Sequence, residues 1–164
     1  MLENLIITPC DSGGYEIISG HRRTAAVRHL LSSGKTISRH LPCLVRNYRD
    51  ESDKRIDIVM MNISARIISD SEMWKSYEVI NDILREKKSA GVKFGQVQKK
   101  LAEILGISTG QAAKMQSIDK RADEVKEALE NGELSINTAE KIAKLDKNEQ
   151  AKLAKDKPLY YSRA

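Results

Sequence analysis

Apolar residues come in short runs along the first third of the chain. Leu5-Ile6-Ile7-Thr8 and Tyr15-Glu16-Ile17-Ile18 flank the turn-forming Asp11-Ser12-Gly13-Gly14. The pattern predicts two strands joined as a β-hairpin, with Gly20 breaking the second. From Arg22 to Ser32 the spacing becomes helical, with Ala26, Val27 and Leu30 inward and Gly34 beyond the end. Leu41 to Arg46 reads as another strand. Asp50 to about Ile63 reads as a helix with Ile56, Val59, Met60 and Ile63 on one face.

Beyond Ser69 the pattern predicts helices only. Ser69-Asp70-Ser71-Glu72 has the form of a capping box, in which the two end side chains each satisfy a free backbone N–H. The helix it opens carries Met73, Tyr77, Ile80 and Leu84 on its buried face and stops at Gly91. Trp74 and Tyr77 have core spacing and read as packing groups rather than base-stacking ones. Further helices are predicted over Phe94–Leu105, Ser108–Ile118, Asp123–Glu130 and Ser135–Leu145, with a short charged one over Lys147–Lys155. The tail Leu159–Ala164 shows no pattern, and the chain has no repeats. The fold class expected is α+β: a small mixed α/β module over residues 1–68 followed by an all-α domain over 69–164.

Two of these helices carry a specific signal. Phe94, Val97, Leu101 and Ile104 form one apolar stripe, and Ala102 is small where two helices cross. Gly106 can adopt the positive φ of a tight turn. Ile107 faces the core, and Ser108 with Gln111 makes a second capping box. Ala112, Met115 and Ile118 point inward. Ser108 and the outward Thr109, Gly110, Gln111, Lys114 and Ser117 then form the face that a helix-turn-helix lays in the major groove. This motif spans residues 94–121. Gln111 has the groups to pair bidentately with adenine, Thr109 to bond a base edge or phosphate, and Lys114 to meet phosphate or guanine. Gly110 lets the backbone approach closely. An ordinary helical hairpin with a glycine turn shares the spacing, so charge becomes the discriminating feature.

The net charge of +5 is unevenly placed. Residues 1–84 carry 11 basic and 11 acidic side chains, and residues 122–164 carry 8 and 9. Residues 85–121 carry 9 basic against 3 acidic, with Lys99 and Lys100 on the first helix of the motif. Positive charge concentrated there attracts phosphate and releases counterions from double-stranded DNA.

Other classes find little support. No run approaches the roughly 18–20 apolar residues of a membrane span, and Met1-Leu2-Glu3-Asn4 lacks the basic start of a signal peptide. Cys10 and Cys43 read as two reduced thiols of a cytoplasmic protein, since neither stands in a CxxC or near a ligand cluster. Ser33-Gly34-Lys35-Thr36 ends like a P-loop, but His29 stands where the first glycine is needed and a helix precedes it. His29 and His40 read as surface residues. No catalytic triad arises from the spacing, and no carboxylate cluster supports a nuclease.

One segment remains, Tyr15-Glu16-Ile17-Ile18-Ser19-Gly20-His21-Arg22-Arg23-Thr24-Ala25-Ala26. A strand, a glycine and two arginines opening a helix form a phosphate-binding arrangement: the helix start offers free N–H groups and the arginines bidentate charge. The stretch resembles the signature box of ParB-family partition proteins, a Gly-Glu-Arg-Arg-like run after a short strand. The order of parts is similar too. A Pro-containing strand (Leu41 to Arg46), an Asn-centred segment around Asn62, a linker helix and a helix-turn-helix follow. Gly132-Glu133-Leu134-Ser135 with Thr138-Ala139 resembles the family's next helical segment. The resemblance covers roughly residues 2–145. His21 stands where the family often has Glu, Ala25 where a further Arg is common, Met61 where an acidic residue precedes the Asn, and Arg66 one position late. The start corresponds to the middle of the family's N-terminal domain, so the chain reads as N-terminally shortened, and its end shows no evident dimerisation domain.

The resemblance implies a ParB-like module that binds CTP with Mg2+. Gly20, His21, Arg22 and Arg23 would hold the nucleotide, and Asn62 would sit near the metal. It implies a homodimer that closes as a clamp on a centromere-like DNA site, moved by a ParA-type ATPase, in plasmid or chromosome partition. No catalytic residue is assigned, and any CTP hydrolysis would be weak. Two alternatives belong to other classes: a CTP-hydrolysing enzyme or nuclease of the ParB-like class, and a helix-turn-helix transcriptional regulator.

Overall fold

The structure, a computed structural model, describes residues 4–64, 67–120 and 123–145. The helix expected over Lys147–Lys155, the tail Leu159–Ala164, Arg66 and Arg121 lie outside the described residues. Two compact units divide between Met61 and Asn62.

The first unit begins with β1 (Leu5–Pro9) and β2 (Tyr15–Ser19), an antiparallel hairpin with a register shift between Ile6 and Ile7. Its turn is closed by Cys10 N–H donating to the Gly14 carbonyl (3.1 Å) and Gly13 N–H to the Cys10 carbonyl (3.0 Å). Helix α1 (His21–Ser32) then carries the chain from β2 at one edge of the sheet to β3 (Cys43–Val45) at the other. There β3 pairs parallel to β1, with Leu5 opposite Cys43 and Ile7 opposite Val45. The third strand is thus shorter than the run Leu41 to Arg46 predicts.

Helix α2 (Glu51–Ser64) is held to this sheet by polar contacts. Lys54 Nζ bridges Glu16 on β2 (3.0 Å) and Glu51 (2.9 Å), while Asp57 accepts from Arg46 and from Tyr48 Oη (2.7 Å). These contacts, with Glu51 first, hold the Lys54 ammonium above its usual pKa, and Asp57 does the same for Arg46. The apolar core is small: Leu5 and Ile18 are buried, with Thr8. The inward packing expected of Ala26, Val27 and Leu30 does not occur. Helix α1 buries no residue, Ala26 is exposed, Val27 is only half-buried and Leu30 is 39% exposed. A sheet whose third strand is three residues long offers too little surface to cover a twelve-residue helix.

The second unit is helical throughout its described elements, and the fold class is α+β as predicted. Helix α3 (Asp70–Ser89) is its spine, packed against α4 (Val97–Leu105), α6 (Asp123–Glu130) and α7 (Ile136–Ile142). The Ser69 box forms: Glu72 N–H donates to Ser69 Oγ (3.3 Å) and Ser69 N–H to Glu72 Oε2 (3.0 Å). Tyr77, Ile80 and Leu84 are buried as expected, joined by Trp74 and Ile83, while Met73 is only half-buried. The Trp74 and Tyr77 rings stack with centroids 5.1 Å apart, and burial pushes the Tyr77 hydroxyl pKa up.

Helix α5 (Thr109–Asp119) closes the core with Ala112, Met115 and Ile118 against Leu101 and Leu105 of α4. Each large aliphatic or Met side chain buried this way contributes about 1.5–3 kcal/mol. Long-range polar contacts lock the arrangement. Asp70 Oδ2 accepts from Ile136 N–H (2.8 Å) at the start of α7, and Asp119 at the end of α5 accepts from Asn81 (3.3 Å) and Arg85 of α3.

Candidate nucleic-acid interface and phosphate cradle

Helices α4 and α5 are joined through Gly106, Ile107 and Ser108. Gly106 sits at φ +65°, which lets the chain reverse at once, and Ile107 N–H donates to the Ala102 carbonyl (3.1 Å). Ile107 itself is half-buried. Helix α4 starts at Val97, so Phe94 and Gly95 lie in the preceding loop and not in the helix that the apolar stripe predicts. Glycine at 95 disfavours an earlier start.

The predicted groove-facing residues divide into two sets. Ser108, Thr109, Gly110 and Gln111 are exposed together at the start of α5, whereas Lys114 and Ser117 are half-buried. The capping box is closed: Gln111 N–H donates to Ser108 Oγ (3.1 Å), and Gln111 Oε1 accepts from Ser108 N–H (3.1 Å) and lies 3.2 Å from Ser108 Oγ. Both acceptor positions of that oxygen are engaged. Bidentate pairing with adenine needs an amide oxygen as well as an amide nitrogen, so it requires the box to open. With the box closed, Gln111 presents Nε2 alone. Lys114 Nζ likewise donates to Asn137 Oδ1 (2.9 Å) in the first turn of α7. Of the two lysines on α4, Lys99 is exposed and Lys100 pairs with Glu103 (3.0 Å).

Three residues of this surface were missed by sequence reasoning. Ala113 is exposed beside Gln111, Asn137 reaches Lys114, and Gln98 Nε2 donates to the Thr109 carbonyl (2.8 Å). Ala113 was legible from the helical period. The other two come from separate helices, and no local pattern announces them.

The arginine box is built differently. Gly20 ends β2 and caps α1 at φ +104°, a conformation that side chains disfavour. A Cβ there would lie 2.2 Å from Leu5 Cδ2 and 3.3 Å from Arg23 Nη2. Arg23 therefore folds over the glycine, and its Nη1 is buried with no hydrogen-bond partner. No acidic residue occupies the first turn of α1, and Gly20 supplies no side-chain cap. A buried guanidinium nitrogen, uncapped backbone N–H groups and no competing carboxylate together suit an anion. His21 and Arg22 are exposed at the same helix start, and Asn62 is exposed on α2. Among the described residues, no three His, Cys, Asp or Glu side chains gather as a metal site. Both cysteines are free thiols, and no described helix is long and apolar enough to cross a membrane.

No family model matches the sequence. The probable chromosome-partitioning protein ParB of Vibrio cholerae is 21% identical over 154 residues, an alignment covering 94% of this chain and 47% of the relative. The chain thus spans about half the length of this relative. The C-terminally truncated ParB of Caulobacter crescentus, complexed to the centromeric parS site, superposes with a TM-score of 0.56 at 22% identity, covering 93% of this chain and 82% of that one. The same protein complexed with CTP-γ-S gives a TM-score of only 0.33 at 24% identity, over 94% and 77% of the two chains, too low for a shared arrangement to be read from it. In fold, and in sequence along nearly its whole length, the chain is similar to the ParB chromosome-partitioning proteins.

Proposed function

We propose that this chain is a sequence-specific DNA-binding protein of the ParB type, acting in plasmid or chromosome partition and switched by CTP. The observation that carries the reading is the start of α5: Ser108, Thr109, Gly110 and Gln111 stand exposed above a buried base of Ala112, Met115 and Ile118, in the most basic segment of the chain. A ParB of the same fold is found bound to parS DNA. In this reading α5 enters the major groove of double-stranded DNA, Lys99 and Lys100 meet phosphates, and Lys114 and Ser117 flank the contact.

The Gly20–Arg23 cradle would take the phosphates of CTP, with Arg23 Nη1 as the buried donor and Arg22 and His21 at the rim. Asn62 is the proposed Mg2+ contact. Magnesium commonly takes few protein oxygens and completes its shell with phosphates and water, neutralising nucleotide charge. Closure of a homodimer around DNA, a ParA-type ATPase partner and a cytoplasmic location on nucleoid or plasmid belong to the same proposal.

The test is affinity selection of fragmented genomic DNA on the purified protein, with and without CTP and Mg2+. One short palindromic motif, spreading into flanking DNA only with CTP, is expected. Recovery of the motif with no effect of CTP would leave a DNA-binding regulator and remove the switch. Uniform recovery that vanishes at physiological salt would overturn the reading. Arg23→Ala should abolish CTP binding measured by calorimetry while leaving DNA selection without nucleotide intact.

A further inference from the structure

Gln98 lies in the first turn of α4, half-buried, outside the residues assigned to the DNA face. Its Nε2 donates to the main-chain oxygen of Thr109, the first residue of α5, at 2.8 Å. The two helices also pack together, and Leu101 and Leu105 of α4 and Ala112 and Met115 of α5 are buried. Apolar burial is non-directional. It fixes how far apart the helices lie, and directional contacts refine the rotation of α5: Lys114 to Asn137 in its middle, Asp119 to Asn81 and Arg85 at its end, and the Gln98 bond at its first turn. Rotation matters for reading bases. A side chain about 5–6 Å from the helix axis moves about 2 Å for a 20° turn, more than the distance range of a good hydrogen bond.

We propose that Gln98 is a positioning residue for sequence recognition: its hydrogen bond to the Thr109 carbonyl sets the rotation at which α5 presents Thr109, Gly110 and Gln111. The proposal deepens the DNA-binding reading above and rests on it. The bond is directional, joins the second residue of one helix to the first of the next, and acts at the end of α5 where the exposed residues cluster. Gln98 need not touch DNA for this.

The test compares wild type with Gln98→Ala and Gln98→Glu, using the DNA motif selected by the wild-type protein and a scrambled duplex at one salt concentration. Neither variant can donate to the carbonyl. Both should lose preference for the motif by about three- to tenfold, the worth of one net hydrogen bond. With Ala, which adds no charge, affinity for scrambled DNA should stay at the wild-type value, and circular dichroism should show the same helix content. An Ala variant that keeps the wild-type preference overturns the proposal and leaves DNA binding intact. So does an equal loss on both duplexes, which would make Gln98 a phosphate contact. A wild-type protein without any preferred sequence removes this proposal together with the function it rests on.

Discussion

Gln111 closes the box at the start of α5 and also faces outward, so its replacement should read out differently in stability and in DNA binding. Gln111→Ala removes the acceptor for Ser108 N–H and for Ser108 Oγ, whose exposed hydroxyl turns to water instead, while the reciprocal bond from residue 111 N–H to Ser108 Oγ survives. One exposed hydrogen bond is worth about 0.5–1 kcal/mol, and the better helix propensity of alanine returns a few tenths, roughly. The net cost is then at most about 0.7 kcal/mol, or a Tm lowered by no more than about 5 °C for a unit of this size. On a cognate duplex the loss should be larger, about 1–3 kcal/mol, because a base contact is removed. Affinity for scrambled DNA should hardly change, since lysine–phosphate contacts carry it. Gln111→Glu separates the two effects. It can still close the box, and a carboxylate in the first helical turn is favoured by about 0.3–1 kcal/mol, so Tm should hold or rise. That carboxylate repels DNA phosphates, so both duplexes should bind more weakly. Thermal melting by circular dichroism and fluorescence anisotropy on the two duplexes at matched salt measure all four quantities. An alanine variant with the wild-type ratio of cognate to scrambled affinity would refute base reading by Gln111 and leave it as a helix cap.

Lys99→Ala combined with Lys100→Ala should flatten the slope of log affinity against log salt by up to about 1.8, less where Glu103 already neutralises Lys100; an unchanged slope would place the phosphate contacts elsewhere. Gly20→Ala should destabilise the first unit by about 1–3 kcal/mol from backbone strain alone, with Leu5 displaced further by the new methyl; hydrogen exchange at β1 and β2 unchanged from wild type would contradict the crowding. Glu78→Gln should raise stability at neutral pH. Burial first, then Glu130, holds the Glu78 carboxyl above its usual pKa. A group raised in the folded state supports folding below its unfolded pKa, and that support is lost as pH rises through the folded value. The variant should therefore melt higher than wild type at pH 7 and alike near pH 3, below the unfolded glutamate pKa of about 4.3; an equal gap at both values would refute this account of Glu78.

Several features were legible because their causes are local. The boxes at Ser69–Glu72 and Ser108–Gln111 each close within three residues, so the sequence names both partners. Gly106 marks its turn because a left-handed backbone there favours glycine. The hairpin at Asp11–Gly14 and the inward Ala112, Met115 and Ile118 follow from turn chemistry and helical period. The ParB resemblance starts from one contiguous stretch, Tyr15 to Ala26, and adds the order of the parts that follow it along the chain, and the fold comparison agrees with it.

What packs against a face, or binds across it, is another matter. The helical period singles out Ala26, Val27 and Leu30 on one side of α1, but a period states which side would be buried and not whether anything wide enough covers it. Asp70 meets Ile136 across 66 positions, Lys114 meets Asn137 across 23, and Gln98 meets Thr109 across a turn between helices. None of these pairs leaves a mark in local sequence. The sequence by itself determined the elements, their caps and the basic segment, since those depend on neighbours along the chain. Tertiary structure alone decided that Lys114 is already engaged by Asn137, that Gln98 donates to the Thr109 carbonyl of the next helix, and that Arg23 keeps one buried nitrogen without a protein partner, because each depends on residues that only folding brings together.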